Sequence, residues 1–174
     1  NSSSTSYILV MTLTSRTKAL TRATGTAVTD IPSNLPKVTL AKNGKPTLSL
    51  NGYTAGKSLV AQTLIKGSGA KVTSTQTVSV NYTGWYATKK GQLKQFDSSW
   101  DRGSSSDLSL SSVVKGWSKG LTGQTIGSQV LLVIPPSLGY GSDAQEDSSG
   151  NVTIPANSTL YFVVDTLYAY TSSS

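Results

Sequence analysis

The chain has 174 residues, of which 36% are apolar and 13% charged, and it contains neither Cys nor His. The missing Cys excludes disulfides and thiolate metal sites, and the missing His excludes a Ser–His hydrolase and argues strongly against a zinc enzyme. No apolar run of about 18 residues occurs, so the sequence predicts no membrane-spanning helix.

The net charge of +7 is unevenly distributed. Residues 1–76 carry nine Lys or Arg against one acid, which gives +8, whereas residues 77–174 carry six against seven acids, which gives −1. A basic segment can face an anionic polymer or lipid, but a solvated linker is the more ordinary interpretation. Nucleic acid is not predicted as a partner, because the basic residues are not interleaved with aromatic ones.

The N-terminal third contains a short apolar run and a candidate hairpin, separated by a linker. Residues 7–13 (YILVMTL) form a short apolar run, and residues 24–36 contain the Gly and Pro residues of a linker. Between residues 38 and 50, two short strand candidates flank the tetrapeptide 42–45, in which Asn-Gly predicts a hairpin turn.

An internal repeat relates residues 4–13 to residues 158–167. Ser, Thr, Tyr, Val, Thr and Leu recur in register, at a spacing of about 154 residues, which is too long for a solenoid. The hypothesis is that residues 7–13 are the last strand of a preceding copy of the same domain. The alternative is chance similarity between two β-branched strands.

The remaining strand candidates lie in the C-terminal two thirds. Alternation in the segment 77–86 places Val78, Val80 and Tyr82 on one face. The run 129–134 is apolar on both faces, as a central strand would be. Residues 142–153 form a long polar and acidic loop. Further strands are predicted at residues 59–65 and 159–167, with shorter extended pieces at 95–100 and around 108–110.

One short helix is predicted around Trp117. Ser111 or Ser112 can cap its start, and Gly116 indicates close approach of backbone or ligand beside the indole. Its apolar face comprises Val113, Val114, Trp117 and Leu121.

In order and spacing, the chain closely resembles the FKBP-type peptidyl-prolyl isomerases, the immunophilins that bind macrolide immunosuppressants. The resemblance covers residues 59–168 through VSVNYTGWY, QFDSSWDRG, VVKGW, IPPSLGYG and IPANSTLYFVVDTL. It implies an α+β fold in which an antiparallel sheet of about five strands wraps around one short helix, with an irregular N-terminal extension. The implied domains are an isomerase domain at 58–170, a linker with short strands at 24–57, a remnant strand and tail of a preceding repeat at 1–23, and a tail at 171–174.

The resemblance also implies an aromatic substrate pocket. Trp117 would be the floor under the substrate proline ring, and Leu108 stands where the family often has a wall residue. Without the resemblance, Trp117 would be interpreted as a core residue, and Tyr82 and Phe162 could equally be plain core residues. The implied apolar walls are Tyr82, Phe96, Val113, Val114 and Phe162.

Polar residues are assigned in the same way. Asp97 would face the substrate carbonyl, with Arg102 holding the side formed by Tyr82 and Asp97. A salt bridge between Asp97 and Arg102 is the structural alternative. The hydroxyl of Tyr140 and the backbone N–H of Ile154 would donate hydrogen bonds to the bound chain.

The implied activity is rotation of X–Pro bonds in unfolded or nascent proline-containing polypeptides. The reaction needs no nucleophile, metal or cofactor, so the absence of His and Cys fits it. Macrolides of the immunosuppressant class are implied ligands. The chain departs from the family pattern at Ser106, where an aromatic wall is usual, and in the long acidic loop.

Two other functions remain open. One is a low-turnover module that binds proline turns or acts as a chaperone within a tandem surface protein. The other is a structural surface domain with the basic residues 16–71 as spacer. Ser/Thr richness, the absence of Cys and the repeat together suggest an extracytoplasmic or cell-surface location.

Overall fold

The structure, a computed structural model, describes residues 5–12 and 18–172. Its main feature is a seven-stranded antiparallel sheet with strand order β1-β4-β8-β11-β5-β6, in which β7 also pairs with β5. The sheet strands are β1 (Thr26–Ala27), β4 (Val60–Lys66), β5 (Thr77–Ala87), β6 (Leu93–Ser98), β7 (Ser106–Ser109), β8 (Gln129–Ile134) and β11 (Leu160–Tyr170). The other elements are the hairpins β2 (Lys37–Leu40) with β3 (Pro46–Ser49) and β9 (Gln145–Glu146) with β10 (Val152–Ile154), the helices α1 (Ser99–Arg102) and α2 (Lys115–Leu121), and a 3-10 turn at Pro136–Leu138.

The central strands follow the sequence patterns. All six residues of β8 are buried, as predicted for a strand that is apolar on both faces. Strand β11 lies between β8 and β5 and pairs with both. On β5, Val78, Val80 and Tyr82 belong to the core cluster on the α2 side of the sheet, which we call the inner core. Their common face confirms the predicted alternation.

Helix α2 packs on the inner face of the sheet through its small residues. A Cβ atom at Gly116 would lie 2.5 Å from the Ile134 side chain, so the close approach that Gly116 predicted is to β8. The predicted cap at Ser111 or Ser112 is wrong, because Val114 occupies the N-cap position and the helix begins one residue later. Val113 and Val114 therefore precede the helix and pack against the core from its N-terminal side.

The outer face of the sheet is covered by the N-terminal extension. This outer-face cluster consists of Trp85, Leu131, Val133, Tyr161 and Val163, each no more than 7% exposed. The predicted hairpin is present, with Val38 paired to Leu48 across the turn. The segment predicted as a linker therefore packs on the sheet, where it contributes Val38, Leu48, Leu50, Tyr53 and Ala55.

Backbone contacts fasten the extension to the sheet. The N–H of Ala23 donates to Asp165 Oδ2 at 2.8 Å, and Asn81 Nδ2 donates to the carbonyl of Thr21 at 2.7 Å. Residues 5–12 have no regular secondary structure, so the strand predicted at 7–13 is not formed over residues 7–12. The described residues do not include 1–4, 13–17 or 173–174. The end of the predicted strand at Leu13 and the last two residues of the predicted tail therefore lie outside them.

Two elements were not predicted. Helix α1 has four residues and ends at Gly103, which is left-handed with φ +72°. The acidic loop contains the hairpin β9–β10, whose turn is held by Asp147 as it accepts the N–H groups of Ser149 and Asn151. Asn151 and then Ser149 lower the pKa of Asp147 through these bonds. None of the helices in the described ranges has the length and hydrophobicity to cross a membrane.

Candidate active site

Four aromatic rings from four elements meet between the sheet and α2. The Trp117 ring lies edge-on to Tyr82 and to Phe162, with centroid separations of 5.3 and 5.1 Å. Phe96 stands edge-on to Phe162 at 5.5 Å. Edge-to-face pairs at these separations are mutually attractive beyond their burial of apolar area. We call Tyr82, Phe96, Trp117 and Phe162 the aromatic cluster.

Strand register brings the cluster together. Gly84 on β5 pairs with Asp97 on β6 and with Phe162 on β11, so three adjacent strands meet at this point. A Cβ atom at Gly84 would lie 2.7 Å from both the Phe96 and the Phe162 rings. The missing side chain thus lets the two rings meet over the strand, a role that the sequence analysis did not assign.

A polar network borders the cluster. The Tyr82 hydroxyl donates to Asp97 Oδ2, and Arg102 forms an ion pair with Asp97 Oδ1. Arg102 Nη2 also donates to Tyr82 Oη at 3.3 Å and to Ser106 Oγ at 3.1 Å. Arg102 therefore contacts both Tyr82 and Asp97, and the salt bridge named as the structural alternative is present.

These contacts shift two ionisation equilibria. Burial, and then the hydrogen bond to Asp97, raises the pKa of Tyr82, so its hydroxyl keeps its proton at neutral pH. The hydrogen bond with Tyr82, followed by that with Asp97, raises the pKa of Arg102. The border of the cluster therefore consists of the Asp97 carboxylate, the Tyr82 hydroxyl that donates to it and the positively charged Arg102 guanidinium.

Two buried polar residues, Ser99 and Asn81, fix the Tyr82 backbone by hydrogen bonds. The Tyr82 backbone N–H donates to Ser99 Oγ at 2.9 Å, and that hydroxyl donates to Asn81 Oδ1 at 2.8 Å. Asn81 is the residue that also bonds the Thr21 carbonyl of the extension. The sequence analysis assigned no role to Ser99, since nothing in the local pattern links it to Asn81.

The remaining predicted site residues lie at different depths. Val113, Val114 and Leu108 are half-buried against the inner core. Ile154, at the end of β10, is 4% exposed, whereas Tyr140, after the 3-10 turn, is 38% exposed. Within the cluster, Trp117 and Phe162 are only 4% and 5% exposed, and Phe96 is half-buried. The indole is therefore deep and largely covered.

Among the open grooves in the described part of the chain, two bear on the site, and neither is lined by a residue of the aromatic cluster. One, of about 980 Å³, runs between the extension at Tyr53 and the loop 155–159, directly after Ile154. The other, of about 420 Å³, lies between Thr21, Asn81 and Trp100. Both are lined in part by the N-terminal extension.

Comparison with known proteins identifies the family. The sequence profile of the FKBP-type peptidyl-prolyl cis-trans isomerases matches residues 68–167. A probable FKBP-type peptidyl-prolyl cis-trans isomerase of Haemophilus influenzae is 42% identical over 101 residues, which are 58% of this chain and 38% of that protein. A probable FK506-binding protein of Corynebacterium glutamicum is 34% identical over 125 residues, which are 72% of this chain and 98% of that protein.

Solved structures agree with the sequence relatives. The crystal structure of FkpA from Escherichia coli matches with a TM-score of 0.55 and 33% identity, over 78% of this chain and 53% of that one. The chain thus spans only part of the Haemophilus and Escherichia relatives but nearly all of the Corynebacterium protein. The match of 100 profile residues, the shared fold and these identities together establish that the chain belongs to the FKBP-type peptidyl-prolyl cis-trans isomerase family.

Proposed function

We propose that the domain accelerates cis–trans rotation of X–Pro bonds in protein chains, with the aromatic cluster as its active site. The rotation is slow, with a barrier of ~18–20 kcal/mol, because amide resonance is lost when the bond twists. The planar amide is the more charge-separated state. A water-poor aromatic surface therefore disfavours the planar state relative to the twisted one and lowers the barrier.

The observation that carries this proposal is the convergence of four rings beside one carboxylate. In the proposed complex, the proline ring sits over Trp117 against Phe96 and Phe162. Asp97 faces the rotating carbonyl from the border of the cluster. The half-buried Val113, Val114 and Leu108 complete the apolar surface around the proline.

Two donors are proposed to hold the substrate chain in a turn. Tyr140 has an exposed position after the 3-10 turn, and Ile154 lies at the end of β10 next to the larger groove. The chain leaving the proline would run past Ile154 towards that groove. Arg102 would fix Tyr82 and Asp97 during the reaction through the contacts described above.

The proposed substrates are unfolded or nascent polypeptides that contain proline, which would make the protein a folding catalyst. Macrolides of the immunosuppressant class are proposed ligands, supported by the name of the Corynebacterium relative, a probable FK506-binding protein. An extracytoplasmic or cell-surface location is proposed from the Ser/Thr-rich composition without Cys and from the internal repeat.

The experiment is a proline-limited refolding assay at catalytic amounts of the chain. The parent should accelerate the slow phase, and Asp97→Asn and Phe162→Leu should each lower kcat/KM by about tenfold or more, equal to ~1.4 kcal/mol of transition-state stabilisation. Asp143→Asn and Tyr168→Leu are matched controls, an exposed carboxylate and an aromatic that is 62% exposed, and both should retain parental activity.

A second candidate is a proline-binding module with little turnover. It is favoured by the covered indole of Trp117 and by the engagement of both Asp97 oxygens with Tyr82 and Arg102. Saturable binding of a proline-containing peptide, lost in Phe162→Leu, without any acceleration by the parent chain would replace the isomerase proposal with this one.

A further inference from the structure

The segment ahead of the domain presents an unusual apolar surface. Residues 7–11 carry five successive large apolar side chains, which are 81% to 91% exposed. Exposed apolar side chains occurring singly are ordinary, but a contiguous run of this kind marks a surface that is buried in its natural context. The inner and outer clusters of this domain are complete without it.

Strand β11 indicates which position in a sheet the segment would occupy. By the internal repeat, residues 7–11 correspond in order to residues 161–165 of β11. In β11, Phe162 and Val164 face the inner core, whereas Tyr161 and Val163 face the outer-face cluster. Apolar side chains on both faces, as in Ile8 and Leu9, suit a central strand of this fold rather than an edge strand with one solvated face.

Within the described residues, the sheet of this domain has no open position with a partner strand on both sides. Its own β11 pairs with β8 over Leu160–Asp165 and with β5 along its whole length. The sheet ends at β1 and β6 can each pair with only one side of an added strand. The repeat, by contrast, matches a strand that has partners on both sides and is buried on both faces.

From the repeat, the exposure and the two-sided burial of β11, we propose that residues 7–13 are the last strand of a second FKBP-type domain preceding this one. Its β5 and β8 equivalents would bind the segment on either side. Among the described residues, the first hydrogen bond that fixes the chain to the present domain is at Thr21, so the seven residues 14–20 join the two sheets, and this connection can span at most about 29 Å.

The preceding domain would differ at two informative positions. Ile8 replaces the cluster residue Phe162, so its pocket would lack one aromatic wall. Met11 replaces Asp165, which in this domain accepts the Ala23 N–H. The preceding domain would therefore lack the carboxylate that fastens the extension here.

Hydrogen exchange of the natural-length protein and of the 174-residue chain tests the proposal. The amides of residues 8–11 should be protected in the natural-length protein to about the degree of residues 161–164, and should exchange freely in the 174-residue chain. Leu9→Asp should abolish this protection and lower the unfolding temperature of the preceding domain only. Thr5→Asp is the matched control, because the corresponding Thr159 lies outside β11, and it should leave both unchanged.

Three results would overturn the proposal. One is free exchange of residues 8–11 in the natural-length protein. Another is a lower unfolding temperature of the 174-residue chain on Leu9→Asp, which would mean that the segment packs on its own domain. The last is protection that appears in the 174-residue chain only as it dimerises with concentration, which would make a second copy the partner.

Discussion

At the scale of single residues, Asp97 forms the salt bridge that the sequence analysis named as the structural alternative, and it does so at the border of the aromatic cluster. Its spacing of five residues from Arg102 made a salt bridge conceivable, and the resemblance placed it at the substrate carbonyl. The structure shows the ion pair and adds Tyr82 as a donor to the second oxygen. That donor comes from β5, and only the β5–β6 register brings it to Asp97.

Asp165 is a second carboxylate with an unusual environment. It is 2% exposed and accepts the Ala23 N–H and Gln129 Nε2, both at 2.8 Å. Burial raises the pKa of Asp165, while these two hydrogen bonds partly oppose the shift. The folded chain therefore holds this proton more tightly than the unfolded chain does.

A pH dependence of stability follows from this residue. The contribution of Asp165 is full below the ordinary carboxyl pKa of 3.8 and is lost as pH rises through the higher folded value. Asp165→Asn removes the titration, and its amide can still bond Ala23 and a rotated Gln129 amide. The unfolding temperature of the variant relative to the parent should rise as the pH increases above 3.8. A difference that does not change with pH would contradict the prediction.

At the scale of elements, the turn between β2 and β3 touches the active site through α1. Lys45 forms an ion pair with Asp101 of α1, and Gln95 donates to the same carboxylate at 2.8 Å. Helix α1 also contains Arg102, the partner of Asp97. The Asn-Gly signal predicted the turn, but four helical residues are too few for a periodic pattern, so α1 and this contact were not predicted.

Gly44 is the position at which this turn is most sensitive. Its φ is +100°, and a Cβ atom would lie 2.9 Å from the Trp100 ring. Gly44→Ala should lower the free energy of unfolding by about 1–3 kcal/mol, measured in urea. Gly52 is the matched control, because its φ is +75° but an added Cβ atom would have no neighbouring atom within 4 Å. Gly52→Ala therefore introduces backbone strain alone and should lower the free energy of unfolding by less than Gly44→Ala does. Equal losses would show that the contact with Trp100 is unimportant.

At the scale of the whole molecule, the extension is part of the folded domain. Leu48 on β3 contacts the outer-face cluster, whereas the neighbouring Thr47 is exposed on the opposite face of the hairpin. Leu48→Asp places a charge against this apolar cluster and should destabilise the protein by about 2 kcal/mol or more. Thr47→Asp should have little effect. Similar thermal unfolding of the two variants would show that the hairpin does not stabilise the sheet.

Local periodicity and family resemblance together determined much of this protein from sequence. The buried run in β8, the alternation in β5 and the aromatic segments specified the central strands and the family, because such signals lie within a few neighbouring residues. Only the tertiary structure shows that the extension covers the outer face of the sheet and that Ser99, bonded to Asn81, binds the Tyr82 backbone. It also shows that the absence of a side chain at Gly84 leaves room for the Phe96 and Phe162 rings. Each of these contacts joins residues far apart in the chain or in different strands, and strand register, which local sequence does not encode, brings them together.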